Sequence, residues 1–374
     1  MGLLNRTSRG PIGIDVGSRW IKAAQISGHG SRARLQGAAL LPRASTDAVP
    51  SKAEIAQLAD VLDRQGFTGR RIVLAPPPTS LLTATVTLPP RGSGAPLEQI
   101  ARMELARVHR CEPQQLSLAF WELPQAASAG GKPAEGMGAL AVACSGEQAN
   151  PLLDAFESAG FDVVGLDVQW LALRRACAPL LAETGNAVTA ILDLGAGSAR
   201  IVAMQQGVIV YERLLGESGI GRIGDQLRTK LNLDDDAIEY LLKEVGLADG
   251  DAAAAADEAP TSERRQARRE RGSDNDLYKE PRRIMTEALD ALAEEVATSL
   301  AYVVQQYRGG EVTAVLLTGG GAGIPGAAEH LAGALQTHVR AVRPAELAQV
   351  PGPLMKQGTN PAFVAALGLA MYRV

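Results

Sequence analysis

Two short segments place a carboxylate at the end of an apolar run with glycine and serine close behind. The first is Gly13-Ile14-Asp15-Val16-Gly17-Ser18, and the second is Leu192-Asp193-Leu194-Gly195-Ala196-Gly197-Ser198. A tight glycine turn lets backbone N–H groups approach phosphate oxygens with no Cβ in the way. The hydroxyls of Ser18 and Ser198 add donors. An aspartate repels phosphate, so the sensible partner of Asp15 and Asp193 is Mg²⁺, held through water. Lys22, on the strand after the first turn, is placed to reach back as a cation. A single such motif is a common strand-end turn. Two copies at matching places in two α/β halves describe facing hairpins able to clamp a polyphosphate from both sides.

A third element is Leu316-Leu317-Thr318-Gly319-Gly320-Gly321-Ala322-Gly323-Ile324-Pro325-Gly326. Strand, glycines and helix let a backbone pack flat against a base or ribose. The stretch holds a literal G-x-G-x-x-G at Gly321, Gly323 and Gly326, which makes a Rossmann dinucleotide site a rival. The acidic residue that such a site needs about 20 positions on is replaced by Arg340 to Arg343.

Strands and helices must hold these groups. Residues 11–27 read as strand, turn, strand, with a third strand near 33–40. A helix follows over 52–65, where Ile55, Leu58 and Leu62 recur at helical spacing, and a short strand at 71–75 stops at Pro76-Pro77-Pro78. Residues 187–211 repeat the strand–turn–strand pattern. Helices are expected at about 219–232 and 234–245, and at 284–307, where Ile284, Leu289, Leu292, Val296, Leu300 and Val303 approximate a stripe. A strand at 312–318, a helix at about 326–335, a strand near 338–342 and a closing helix at 360–371 complete the chain.

Between the first strands and residue 166 the order is β-α-β-β-α-β, which suggests a small inserted module. Its first helix, LEQIARMELARVH, is expected to turn Ile100, Met103 and Leu105 inward. Residues 126–137 read as a hairpin loop. Residues 248–282 combine an Ala/Asp tract with Arg264, Arg265, Arg268, Arg269 and Arg271 and few apolar residues, so this segment is expected to be disordered.

The chain has 374 residues, enough for two or more domains. A net charge of -4 argues against nucleic acid as a partner. Cys111, Cys144 and Cys177 form no metal-ligand pattern and suit a reducing, cytoplasmic setting. No apolar run approaches the roughly 20 residues that span a bilayer. The opening MGLLNRTSRG is expected to be a frayed terminus rather than a signal peptide, although Leu3, Leu4, Arg6 and Arg9 have the composition of a weak membrane contact.

The three elements, in this order, resemble the superfamily of actin, sugar kinases and heat-shock chaperone ATPases. IGIDVGSRWIK is similar to its first phosphate loop, ILDLGAGSARIVAMQQG to its second and LLTGGGAGIPGAAEHL to its adenosine motif. The runs from Leu166 to Leu173 and from Asn360 to Ala370 resemble its two linking helices. Within that superfamily the chain resembles the PilM family of type IV pilus assembly proteins, relatives of the cell-division protein FtsA. The second phosphate loop departs from the pattern, with Gly197-Ser198-Ala199 where many relatives carry two threonines.

The resemblance implies an α/β, actin-like ATPase fold: two related halves around a nucleotide cleft, with an inserted α+β subdomain. The first half would comprise 10–70, 166–185 and 355–374, with the insert at 71–165. The second would comprise 186–215 and 312–350, with a helical subdomain at 216–311. By the same resemblance Asp15 and Asp193 organise Mg²⁺, and Gly17, Ser18, Lys22, Gly195, Gly197 and Ser198 hold the phosphates of ATP. Gly319, Gly320 and Gly321 border the adenosine. Gln169 sits where relatives orient the attacking water; an amide is no strong base, so slow hydrolysis at most is expected. The implied role is a cytoplasmic scaffold at the inner face of the inner membrane that binds the N-terminal tail of a PilN-like membrane protein, with self-association also expected. The alternatives are a nucleotide-free pseudo-ATPase adaptor of a type II secretion-like system and a small-molecule kinase.

Overall fold

Runs of β-branched and apolar residues broken by glycine turns produce the same sheet twice. In a computed structural model, which describes residues 9–124, 136–181, 186–247, 277–307 and 310–373, the chain begins with β1 (Arg9–Val16), β2 (Trp20–Ser27), β3 (Arg34–Pro42), α1 (Lys52–Arg64) and β4 (Arg71–Leu74). It then departs through β5 (Leu81–Leu88), α2 (Leu97–His109), β6 (Leu116–Glu122) and β7 (Met137–Ser145). It returns through α3 (Gly146–Ser158), β8 (Asp162–Leu166) and α4 (Gln169–Cys177). Next come β9 (Val188–Leu194), β10 (Ala199–Gln205), β11 (Val208–Leu215), α5 (Ile220–Leu231), α6 (Asp235–Tyr240) and the long α7 (Lys279–Gln306). The last elements are β12 (Val312–Thr318), α8 (Ala327–Leu335), β13 (Val339–Ala341) and α9 (Val364–Ala370).

The first sheet has the order β3-β2-β1-β4-β8 and the second β11-β10-β9-β12-β13. Directions match as well: each begins as an antiparallel three-stranded meander and continues as two parallel strands. β9 and β10 are buried along their whole length. That explains why they read as continuous apolar runs rather than alternating ones.

The inserted module is smaller than 71–165. Its own sheet is β5-β7-β6, covered by α2, whereas β4 and β8 hydrogen-bond into the first sheet. Leu152 and Phe156 of α3 pack with Ile55 and Leu58 of α1 in the first half's core. The order β-α-β-β-α-β is the same whichever sheet its outer strands join, so periodicity alone could not draw this boundary.

Two further expectations are corrected. Met103 is 57% exposed, and α2 buries Ala101, Leu105 and Ala106 instead. At 100° per residue, Met103 lies on the face opposite Ala101 and Leu105. Residues 279–282, expected to belong to a disordered segment, form the first turn of α7. Pro281 fits there because the first turn's N–H groups have no intrahelical acceptor. The Arg-rich stretch through Arg271, most of the 126–137 loop and the first eight residues lie outside the described residues.

The two halves are joined where α4 and α9 cross. A Cβ on Gly368 would stand 2.1 Å from the Ala172 carbonyl oxygen, and one on Gly13 would stand 2.2 Å from that of Ala366. Glycine at both points allows the closing helix to lie directly against α4 and β1. Arg175 of α4 locks the crossing by donating to the Gly368 carbonyl (2.9 Å) and to Asp167 Oδ2 (2.8 Å).

Candidate functional site

Identical sheet topology brings the two aspartates to equivalent strand ends. Asp15 sits near the end of β1, and its cross-strand partner on β2 is Lys22. Asp193 sits near the end of β9, and its cross-strand partner on β10 is Arg200. Both carboxylates are buried, at 4% and 8% exposure. The two cations are used differently. Lys22 Nζ lies 2.6 Å from Asp15 Oδ2 and compensates it directly. Arg200 is turned away to a buried ion pair with Glu212.

Asp193 therefore lacks a cation of its own. Its direct contact is the Thr318 hydroxyl, which donates to Oδ1 at 2.9 Å. Burial pushes the Asp193 carboxyl up, and the negative charge of Asp15 across the cleft pushes it further; the Thr318 bond and the distant Lys22 and Arg200 offset only part. Two buried like charges facing each other are relieved by a divalent cation. Among the described residues no cluster of three or more metal-ligating side chains exists. A Mg²⁺ here would rest on two carboxylates, waters and phosphate oxygens, its usual mode in nucleotide sites.

The turns behind the aspartates are closed in the same way. The Gly17 amide donates to the Trp20 carbonyl, and the Gly195 amide to the Ser198 carbonyl, each at 3.0 Å. The tips of the two turns face each other: a Cβ on Gly197 would stand 3.0 Å from Ser18 Oγ. The second turn is buttressed by the start of α5, where the Ile220 and Gly221 amides donate to the Gly195 and Ala196 carbonyls (3.0 and 2.8 Å). Small residues at these tips leave backbone donors accessible to an anion.

The glycine triplet divides its tasks. Gly319 has φ +82°, and a Cβ there would meet Asp193 Oδ1 at 2.8 Å. Gly320 is exposed at the cleft edge. Gly321 is buried, and a Cβ would collide with Leu194 at 2.3 Å, so this residue serves packing. Gln169, at the start of α4, donates from Nε2 to Asp15 Oδ1 (3.3 Å). Asp15, Lys22 and Gln169 thus form one cluster, and Asp193, Thr318 and Gly319 a second. Ser18 and Gly197 meet between them.

Several residues that bear on the site carried no signal in the sequence. Arg43, just beyond β3, is buried and donates from Nη1 to the Gly17 carbonyl (3.2 Å), anchoring the first turn from behind. Its Nε reaches Glu54 Oε1 at 3.3 Å. Glu54 closes a capping box with Ser51 at the start of α1, so the turn is tied to a helix terminus. Trp121 of the insert donates from its indole N–H to the Ile209 carbonyl (2.8 Å) in the second half and packs edge-on against Trp170, with ring centroids 5.7 Å apart. Arg174 of α4 grips the same hairpin through the Gly207 carbonyl (2.6 Å). Trp170 directly follows Gln169, so the insert, the linking helix and the Asp15 cluster are in contiguous contact. Thr318 had a legible cue, a hydroxyl at a strand end just before three glycines.

A family model described as type IV pilus assembly protein PilM matches residues 13–249 and 267–374. The structure is similar to that of a PilM–PilN type IV pilus biogenesis complex, with a TM-score of 0.74 and 22% identity, covering 97% of this chain and 98% of that one. It is also similar to the ethanolamine utilization protein EutJ from Carboxydothermus hydrogenoformans, with a TM-score of 0.53 and 15% identity, covering 98% of this chain and 90% of that one. No curated protein sequence matches the chain. The likenesses show the actin-like ATPase fold.

Proposed function

This chain belongs to the PilM family of type IV pilus assembly proteins, and from that premise we propose that it is a scaffold of the pilus machine. In this reading its cleft takes Mg²⁺·ATP, and its first half receives the N-terminal tail of a PilN-like inner-membrane protein. The observation that carries the nucleotide part is the equivalence of Asp15 and Asp193: two buried carboxylates at matching ends of two topologically identical sheets, with facing glycine turns behind them. Asp15 and Asp193 would hold Mg²⁺ through water. Gly17, Ser18, Gly195, Gly197 and Ser198 would offer donors to phosphate. Lys22 would supply the cation on the first side, and Gly319 and Gly320 the edge against the adenosine. With ATP bound, the backbone donors of the two facing turns would share its phosphate charge.

Gln169 supports slow hydrolysis at most. Its amide can orient water but cannot take the proton, and here it is bonded to Asp15. A scaffold needs no rapid turnover. Nucleotide binding that favours one closure of the cleft shifts the population competent for a partner. The insert touches both halves through Trp121, so a tail lying between the insert and the first half would sense that closure. No helix among the described residues is long and apolar enough to cross a membrane. A place at the inner face of the inner membrane would therefore come through the partner.

Calorimetric titration with Mg²⁺·ATP of the wild type and an Asp15→Ala, Asp193→Ala double variant tests the reading. Binding by the wild type and none by the folded double variant is the expected result. No binding by folded, nucleotide-free wild type refutes the ATP part and leaves a scaffold that kept the fold without the ligand. A synthetic PilN tail titrated with and without nucleotide tests the partner.

A further inference from the structure

Four chain segments far apart in sequence meet at the end of the first sheet remote from the cleft, and three of them bring an arginine. Arg9 opens β1, His29 lies in the β2–β3 turn, Arg71 opens β4, and Arg373 follows the closing helix. With Gly10, Pro11 and Tyr372 they line a pocket of about 440 Å³. Its size lies within the range of small-ligand pockets. β1 and β4 run parallel, which puts both N-terminal arginines at the same end. Asp15 lies six residues further along β1, about 20 Å away at the rise of a strand, so the pocket is separate from the nucleotide cleft.

The charge balance of this pocket is one-sided. The chain as a whole carries -4, yet no acidic side chain is among the lining residues. Arg9 is pinned by Thr68 Oγ1 (3.1 Å) and the Gly66 carbonyl (3.4 Å), which fixes one guanidinium at the rim. The side chains of Arg71, Arg373 and His29 make no ion pair or hydrogen bond among the described residues. Tyr372 is held in place by the Arg175 guanidinium, 5.7 Å from its ring centroid. Unpaired guanidinium forks around a small concavity suit phosphate oxygens, which accept two parallel N–H bonds from each. Asp162, the register partner of Arg71 on β8, offsets part of this charge; the repulsion left among the arginines is relieved by a bound anion.

We propose that this pocket binds a phosphate-bearing anion, as a site distinct from the nucleotide cleft. The same chemistry is presented by the headgroup of an acidic phospholipid and by a small soluble organic phosphate. The test uses the full chain carrying Asp15→Ala and Asp193→Ala, so that the cleft does not contribute. Glycerol 3-phosphate is titrated by calorimetry, and flotation is measured with phosphatidylglycerol and with phosphatidylcholine vesicles. A further Arg71→Ala, Arg373→Ala pair removes two exposed arginines. Each surface cation is worth about fivefold, so binding should weaken about 25-fold, while an Arg107→Ala, Arg228→Ala control of equal charge change should leave it intact. Binding of glycerol 3-phosphate with this pattern identifies a soluble ligand; flotation with phosphatidylglycerol alone, with this pattern, identifies a lipid headgroup. No binding in either arm, or equal loss in the control pair, overturns the proposal.

Discussion

Glu54→Gln tests the link between helix α1 and the glycine turn behind Asp15. The Glu54 carboxylate accepts from the Ser51 amide (2.7 Å), the Ser51 hydroxyl (2.9 Å), the Ala44 amide (3.0 Å) and Arg43 Nε (3.3 Å). Burial raises its pKa, but these bonds outweigh burial and bring the carboxyl down from 4.5 to about 2. A drop of about 2.5 pKa units corresponds to about 3 kcal/mol of native-state stability. The folded value is depressed, so this contribution is present above pH 4.5 and is lost as pH falls through about 2. About 2 kcal/mol of it should be gone at pH 3. Glutamine keeps one acceptor oxygen and turns an N–H₂ toward groups that are themselves donors. Urea unfolding should therefore show the variant about 2–3 kcal/mol less stable at pH 7, with the gap closing as the pH drops below 4.5. The freed Arg43 would also hold the Gly17 carbonyl less firmly, and Mg²⁺·ATP should bind a few-fold more weakly. Parallel stability curves for the two proteins from pH 7 to pH 3 would refute the reasoning.

Other consequences are open to direct measurement. Trp121→Phe removes the indole bond to Ile209 while keeping a ring against Trp170, and should cost about 1 kcal/mol and speed amide exchange in β6; unchanged exchange there would mean the contact does not tie the insert to the second half. Gly368→Val forces a Cβ to within 2.1 Å of the Ala172 carbonyl and should destabilise by more than the usual 1–3 kcal/mol of an overpacked site; a melting temperature equal to wild type contradicts the crossing geometry. The raised Asp193 pKa means that Mg²⁺·ATP affinity should begin to fall on acidification at a pH above the ordinary 3.8. Asp193→Asn should abolish that inflection, and its persistence would assign it to another group. Cys177 is fully buried, with its thiol pushed up to about 12 by burial and the nearby Asp193 charge, so under native conditions a thiol reagent should label the partly exposed Cys111 first; rapid labelling of Cys177 would reveal an opening between the halves.

Much of the candidate site's geometry was legible because its constraints are local. A turn that lets phosphate approach the backbone needs glycine, and a strand that delivers a carboxylate to that turn must be apolar up to it; both are written within a few residues around Asp15 and Asp193. Repetition of the motif disclosed the two halves. Arg43 was not legible. It acts on Gly17 from 26 residues away, and nothing local separates it from a surface arginine. The diversion of Arg200 to Glu212, which leaves Asp193 without a cation, was equally hidden. Lys22 and Arg200 occupy the same register position, and side-chain packing in each sheet decides which anion each one meets.

The order of the elements, the glycine turns, the two aspartates and membership in the family were readable along the chain, since each depends on residue type and spacing. Where the insert ends, which face of α2 is buried, how Trp121 ties the insert to the second half and how four distant segments gather Arg9, His29, Arg71 and Arg373 in one pocket emerge only in the folded chain. The physical reason is that strand pairing and side-chain contact join positions tens to hundreds of residues apart. Such contacts are selected by packing and charge in three dimensions, and local periodicity carries no record of them.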